Sequence, residues 1–458
     1  MNFKPLLFAI IFTANCAYAQ KSQIIGFSED WIGREVRILS NADPVSGTYD
    51  ELLKTTIDQG GKFTAPIAVE NTTLVWLMVN RFKAPVYIKP EESYELQIGG
   101  SEENPFIDTW NKGELVYTFS YLPEGDPNRE IMAFDQAYYN LFLDNPELIG
   151  TSAMKAKVKA FETEWAGKYS DKYLSHYIKY SIAKMKMSAG FPKQSIYETY
   201  LSRESEIETS NAGFRDFFNT FYTDYFDQYN VRFKDAEIHK FLGEKADIEG
   251  FFERIREDEF MTNLIIQQMV VLKSINEAYG DSRYSKKALM QVLKEIEKAS
   301  KTEIVATIAQ NIRTKWEKNE ASFNMEYIKE KFASDLEYQP GIENVFVITN
   351  AKSKASEKEF YLLADLSATY SEYFRVTECT VGKREKAERH RPWPVAEADD
   401  AYGLLETLDV YSFPHFLRVD KAGKIVENGM VKPSEGLEKS LYQMKVRSEA
   451  KDKIKVGK

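Results

Sequence analysis

Along the first hundred residues, apolar and polar positions alternate with a period of two. Val36-Arg37-Ile38-Leu39 follows that pattern, and Leu74-Val75-Trp76-Leu77-Met78-Val79 is an apolar run of the length a buried strand needs. Val86-Tyr87-Ile88 and Tyr94-Glu95-Leu96-Gln97-Ile98 add two more strands around Pro90, and Asp58-Gln59-Gly60-Gly61-Lys62-Phe63 supplies hairpin chemistry between two others. Short strands with regularly spaced turns predict a small β-sandwich over 20–100. After Pro123-Glu124-Gly125-Asp126-Pro127 the period lengthens to that of a helix. Met154, Val158, Phe161 and Trp165 share one helical face, and Leu264, Met269, Leu272 and Ile275 share another. Ser285 is placed to cap a helix carrying Leu289, Val292, Leu293 and Ile296, and Ile304, Ile308 and Ile312 mark the next. The pattern predicts a helical domain over 126–332.

The last part of the chain, over 338–450, returns to strands and helices in alternation. A strand at Val345–Thr349 leads to a helix at Ser356–Tyr373, a strand at Phe374–Val381 and a shorter helix at Asp399–Leu408. A hairpin follows over Phe416–Val426 around an Ala-Gly turn, then a helix from Ser434 to Val446. This order, βαβαββα, is that of a thioredoxin-like fold. The chain is therefore expected to be a multidomain α+β protein: β-sandwich, helical middle, thioredoxin-like end.

Between Phe214 and Phe233 the helical pattern is dense in rings: Phe217, Phe218, Phe221, Tyr222, Tyr225, Phe226 and Tyr229. Steps of three and four residues are what a buried helix seam produces. Flat rings also suit a stacking platform for a sugar or peptide, so glycan or peptide binding stands as an alternative.

Charge and the N-terminus set the compartment. Met1–Ala19 combines Lys4, the apolar run Leu6–Phe12 and Ala17-Tyr18-Ala19 before Gln20, the form of a secretory signal peptide cleaved after Ala19. The apolar run is too short to span a bilayer. Cys16 follows Asn15 where a lipoprotein signal wants a small residue, so lipidation is disfavoured. Cleavage leaves one thiol, Cys379, so no intramolecular disulfide can form. The formal charge of −10 becomes −11 without Lys4, which argues against nucleic acid or an anionic membrane as partner. The expected location is periplasmic or secreted, with no transmembrane span after cleavage.

The C-terminal residues carry a resemblance. Val410-Tyr411-Ser412-Phe413-Pro414-His415-Phe416-Leu417-Arg418-Val419-Asp420-Lys421-Ala422-Gly423-Lys424-Ile425 resembles the segment of thioredoxin-like proteins that holds the cis-proline and the hairpin after it. It is most similar to the periplasmic TlpA/ResA-like thiol:disulfide oxidoreductases. In that family the first strand runs into a Trp-Cys-x-x-Cys turn, with a Glu-Met-Pro on the helix. Glu359-Phe360-Tyr361 laid on that tripeptide puts Lys352 on the tryptophan and Ser353 and Ser356 on the two cysteines. The resemblance thus implies a degenerate active-site turn, Ser-x-x-Ser for Cys-x-x-Cys. Ahead of it, Asp58-Gln59-Gly60-Gly61-Lys62-Phe63 and Val86-Tyr87-Ile88-Lys89-Pro90 resemble the small DUF4369-like β-module.

Disulfide exchange needs an attacking thiolate and a second thiol to resolve the mixed disulfide; neutral serines supply neither. Cys379 falls in the second strand of this region, where a small buried hydrophobe is the expected role. The expected function is a redox-inactive, thioredoxin-like envelope protein that binds an extended polypeptide or envelope protein through Lys352, Ser353, Ser356, Phe413, Pro414 and His415. An oxidoreductase using Cys379 is the alternative. No HExxH, GxSxG, P-loop, GxGxxG or EF-hand pattern occurs, and His176, His239, His390 and His415 lack paired ligand spacing, so neither cofactor nor metal is expected. The basic residues Lys383, Arg384, Lys386, Arg389 and Arg391 before Pro392-Trp393-Pro394 read as a solvated loop, or else as a contact for an acidic partner.

Overall fold

The computed structural model describes residues 21–79, 82–99, 114–203, 208–233, 237–279, 281, 283–322, 324–350, 354–381, 391–408, 410, 413–443 and 445–446. The expected signal peptide lies outside the described residues. Among them, no helix is long and apolar enough to cross a membrane.

The N-terminal part contains β1 (Ser22–Phe27), β2 (Glu35–Asn41), β3 (Tyr49–Thr56), β4 (Lys62–Ile67), β5 (Thr73–Val79), β6 (Phe82–Ile88), β7 (Ser93–Ile98) and β8 (Tyr117–Phe119). They form two four-stranded sheets, β4-β1-β7-β8 and β3-β2-β5-β6. Alternation places Ile24, Phe63 and Leu96 of one sheet and Ile38, Leu77 and Val86 of the other in one buried cluster. Strands β3 and β4 lie in different sheets, so the hairpin expected over Asp58–Phe63 is instead a turn that carries the chain from one sheet to the other; in it Asp58 Oδ1 accepts from the backbone N–H of Gly60 at 2.8 Å and Lys62 at 2.9 Å. Gly61 adopts φ 73°, which the turn requires and a side chain would oppose.

The middle of the chain is helical. Its elements are α1 (Pro127–Leu143), α2 (Ser152–Trp165), α3 (Lys172–Ser188), α4 (Lys193–Tyr200), α5 (Ala212–Phe221), α6 (Tyr225–Arg232), α7 (Ile248–Ile255), α8 (Leu264–Glu277), α9 (Lys286–Ala299), α10 (Glu303–Ser322) and α11 (Met325–Phe332). Side-chain caps start many of them: Thr151 on Met154 N, Asp171 on Leu174 N, Asn263 on Ile265 N, and Ser285 on Ala288 N. Ser285 and the buried Leu289–Ile296 face behave as the spacing predicts.

The aromatic stretch is two helices, not one. Asp224 takes a left-handed conformation, φ 48°, between α5 and α6 and turns the chain between them. Phe217, Phe218, Phe221, Tyr222, Tyr225, Phe226 and Tyr229 are all buried in the main helical core. Rings so enclosed offer no flat face to a sugar, and the stacking-platform alternative falls.

Two contacts join the sandwich to the helices. In the loop after β2, Asp43 holds Val45 N, Ser46 N and Ser46 Oγ, and it accepts from Asn311 of α10 at 2.8 Å. Val45 enters the helical core, while Asn219 and Lys315 donate to the Pro44 and Ser46 carbonyls. At the other contact, Asn128 of α1 pairs with the backbone of Tyr87 on β6.

The last part contains β9 (Glu343–Asn350), α12 (Lys354–Thr369), β10 (Phe374–Val381), β11 (Val395–Glu397), α13 (Ala401–Thr407), β12 (His415–Val419) and β13 (Ile425–Asn428). The sheet order is β11-β10-β9-β12-β13. Strands β9 and β10 are parallel across α12, β12 is antiparallel to β9, and β13 is antiparallel to β12. That order and those directions are the thioredoxin-like topology, with β11 added in parallel on the outer edge of β10. Helix α11 packs here too, since Met325, Ile328 and Phe332 share a core with Phe346, Ile348 and Leu417. After the 3-10 turn Pro433–Glu435 a closing helix begins at 437, a few residues later than the pattern predicts.

Candidate functional site

The candidate groove lies where β9 gives way to α12 and where the Phe413–Pro414 peptide precedes β12. Lys352 and Ser353 fall outside the described residues. Ser356 stands in the first turn of α12, three residues ahead of Glu359. Glu359 is buried and accepts from Ser434 N at 2.9 Å and from Ser434 Oγ at 2.5 Å. The carboxylate thereby ties the helix after the turn to Pro433–Glu435, and both of its oxygens are engaged.

Pro414 follows a cis peptide bond, and Phe413 is buried in the core that contains Phe346 and Cys379. His415 opens β12 and is half-buried. Its Nε2 lies 2.6 Å from Asn428 Oδ1, while Asn428 Nδ2 donates to the Leu408 carbonyl at 2.8 Å. Because Asn428 spends its N–H on Leu408, its Oδ1 is the acceptor and the His415 proton sits on Nε2. The chain Leu408–Asn428–His415 braces the end of α13 against the first residue after the proline. His415 is thus a positioned group of the hairpin.

Cys379 is fully buried on β10, opposite Ile348 and Ala396. Burial, with the Glu378 and Asp399 charges adding to it, pushes its thiol up to about 12. At neutral pH it is a protonated, inaccessible thiol, the small buried hydrophobe expected of that strand.

Sequence reasoning missed the polar cluster on the opposite side of the same strand. Glu378 is 3% exposed and accepts from Thr349 Oγ1 at 3.0 Å and Trp393 Nε1 at 2.8 Å, with Arg391 Nε 3.5 Å away. Arg391 also lies 3.9 Å over the Phe360 ring of α12. The expectation of a solvated basic loop is therefore corrected at Arg391, whose guanidinium is folded onto the domain. Lys383, Arg384, Lys386, Arg389 and His390 lie outside the described residues. Period-two alternation puts Glu378 on the face of Val376, which would mark the oddity of a carboxylate in a buried strand. Only the neighbours in space show that it is satisfied.

Together these groups brace the carboxyl ends of β9 and β10 beside the Phe413–Pro414 peptide. The described carboxylates there are engaged in hydrogen bonds and the thiol is sealed in the core, so the described residues position backbone and apolar surface and present no thiolate. Among the described residues, no group of three or more His, Cys, Asp or Glu side chains is placed to hold a metal ion.

No protein-family model matches the chain, and no curated protein matches it. Two solved structures of thioredoxin-like proteins are similar to part of it. The pneumococcal exposed lipoprotein thioredoxin Etrx1 of Streptococcus pneumoniae is 19% identical over 22% of this chain and 85% of its own, with a TM-score of 0.20. A thioredoxin-like protein from Bacteroides caccae is 11% identical over 55% of this chain and 92% of its own, with a TM-score of 0.27. At such scores the thioredoxin-like topology rests on the strand order and directions of this chain itself.

Proposed function

We propose that this protein is an extracytoplasmic, thioredoxin-like binding protein without dithiol chemistry, which holds an extended polypeptide in the groove beside Pro414. The carrying observation is Cys379: outside the proposed leader it is the chain's only thiol, and it is buried with its pKa pushed up to about 12. Attack on a disulfide requires a thiolate that can reach the substrate, and this thiol is neither ionised nor reachable. In the proposed register, Ser353 and Ser356 stand where TlpA/ResA-like proteins carry their cysteine pair, so the sulfurs of that pair are lost. The signal sequence and the resemblance of Asp58–Phe63 to a DUF4369-like segment support an envelope location. Binding would use backbone pairing with an extended chain and apolar contact near Phe413, a mode that needs no ionisable group.

Two measurements test this reading. The purified protein should fail to reduce a model disulfide substrate, and a Ser353→Cys/Ser356→Cys variant should gain that activity. Activity in the parent that disappears in Cys379→Ser would make it a one-cysteine oxidoreductase instead. For binding, a photo-crosslinker at position 415 should capture a reduced, carboxymethylated polypeptide, and a crosslinker on the remote surface at Lys298 should not. Equal yields at both positions would remove the groove from the proposal.

A further inference from the structure

The first helix of the middle part leaves one face uncovered. Helix α1 buries Phe134 in a core shared with α2 and α3, and it turns Met132, Ala133, Gln136, Tyr139, Asn140 and Leu143 to solvent. Steps of three and four residues set these positions in one stripe, about 16 Å long at the rise of an α-helix. Met132 is 62% exposed, Tyr139 60% and Leu143 73%. Single apolar residues on a surface are ordinary, but three large ones in line on one helix make a contact face.

Charge narrows what that face fits. None of the stripe positions is charged, in a chain that is 28% charged and carries a formal −10. A second copy is repelled wherever two acidic surfaces meet, and the stripe is exempt from that repulsion. Its ends carry opposite signs. Arg129 is exposed one turn before Met132, and Asp144 and Glu147 are exposed at and just past the C-terminal end of α1. These three side chains form no ion pair among the described residues. At the middle, Gln136 Nε2 donates to Asn140 Oδ1 at 2.8 Å, which leaves Gln136 Oε1 as an acceptor and Asn140 Nδ2 as a donor.

The stripe therefore reads alike from both ends: charge, apolar, amide, amide, apolar, opposite charge. Such a face is complementary to itself when turned end for end about a two-fold axis. With the axis between Ala137 and Tyr138, Met132 meets Leu143 of the second copy, Gln136 Oε1 meets Asn140 Nδ2, and Arg129 approaches Glu147. Each contact is made twice, and the two helix dipoles run in opposite directions.

We propose that α1 is a homodimer contact, packing antiparallel on α1 of a second copy of this chain through Met132, Gln136, Tyr139, Asn140 and Leu143. The contact is separate from the groove beside Pro414 and does not depend on it. A strip one helix wide is well below the roughly 800 Å² per partner of a standard interface, so the dimer is weak and forms with rising concentration.

The test is sedimentation velocity of the purified protein from low micromolar to several hundred micromolar, where a reversible monomer-to-dimer shift is expected. Met132→Glu and Leu143→Lys alter solvent-facing positions, so the melting temperature should hold while each weakens the dimer at least about tenfold. An equimolar mixture of the two variants should recover the dimer, because the antiparallel register sets the introduced carboxylate of one against the introduced ammonium of the other. A monomer at every concentration, a dimer that neither variant weakens, or a mixture no stronger than its parts overturns the proposal. So does a protein that stays monomeric and cosediments with phosphatidylcholine vesicles until Met132→Glu abolishes it, which would give the stripe to a lipid surface.

Discussion

The side-chain amide of Asn128 stands in for a neighbouring strand at Tyr87. Its Oδ1 accepts from Tyr87 N at 2.7 Å, and its Nδ2 donates to Tyr87 O at 2.7 Å. Tyr87 lies on β6, the edge of its sheet, where unpaired backbone groups would otherwise be a template for another chain. One buried residue of α1 thus blunts the edge and fixes the first helix to the sandwich. Asn128→Ala should cost about 2–3 kcal/mol, two hydrogen bonds lost with their partners left buried, measured by urea denaturation. Asn128→Asp should be no milder, because it loses the donor and sets a carboxylate against the Tyr87 carbonyl.

Asp135 gives the molecule a pH dependence with a definite sign. Burial pushes its carboxyl up to about 6, partly offset by Tyr177 OH, which donates to it at 3.0 Å, and reinforced by the Asp216 charge. The folded value lies above an unfolded value of about 4, so protonation favours the folded state. This contribution is complete below about pH 4 and is lost as pH rises through about 6. Between pH 4 and 7 the Asp135 part of stability should fall by about 1–2 kcal/mol, discounted for the side chain's partial exposure. Asp135→Asn should remove that slope, read as the difference between wild-type and variant denaturation curves across the range. A difference that stays constant with pH would show that Asp135 does not titrate in that window.

Cys379 should be silent to thiol reagents in the native protein and react fully in denaturant. Modification proceeding at the rate of a free thiol under native conditions would contradict its burial. Cys379→Ser places a hydroxyl among Phe346, Ile348 and Leu404 and should cost about 1–3 kcal/mol, whereas Cys379→Ala should cost less.

Asp258 is the most heavily engaged carboxylate of the helical core. It is 1% exposed and accepts from Tyr225 OH at 2.7 Å, Phe260 N at 3.1 Å and both terminal nitrogens of Arg232, at 3.1 Å and 2.6 Å. Asp258→Ala strands the buried Tyr225 hydroxyl and part of a guanidinium and should cost about 3–5 kcal/mol. Adding Arg232→Leu should recover part of that loss, because the unpaired cation leaves with it. No recovery in the double variant would assign the cost to Tyr225 and the backbone alone.

Local chemistry was legible where the interacting residues are near in sequence. Asp58 and Asp420 show it twice: each precedes a glycine of positive φ by three residues, and each carboxylate accepts from the N–H groups two and four residues on. Strand β10 reads directly from Phe374 to Val381 because β-branched residues, Val376, Thr377, Thr380 and Val381, make up half of it and Gly382 follows. Strand β11 was not read, since three residues after Pro394 carry no period, and it exists only because the free edge of β10 is beside it. The break at Asp224 was hidden as well. The ring spacing continues across it, so an unbroken helix and two helices sharing one core bury the same rings.

The chain alone determined that a period-two part, a period-3.6 part and an alternating part follow one another, that turns fall at particular glycines, and that at most one thiol remains past Ala19. Those are matters of neighbours along the chain, where steric and hydrogen-bonding preferences act within a few residues. Tertiary structure decided that Arg391 lies on Phe360 beside Glu378, that Asn128 closes the edge at Tyr87, and that the aromatic seam is interior. Each of these joins residues from separate elements, and its energy depends on burial and on partners that packing alone brings within reach.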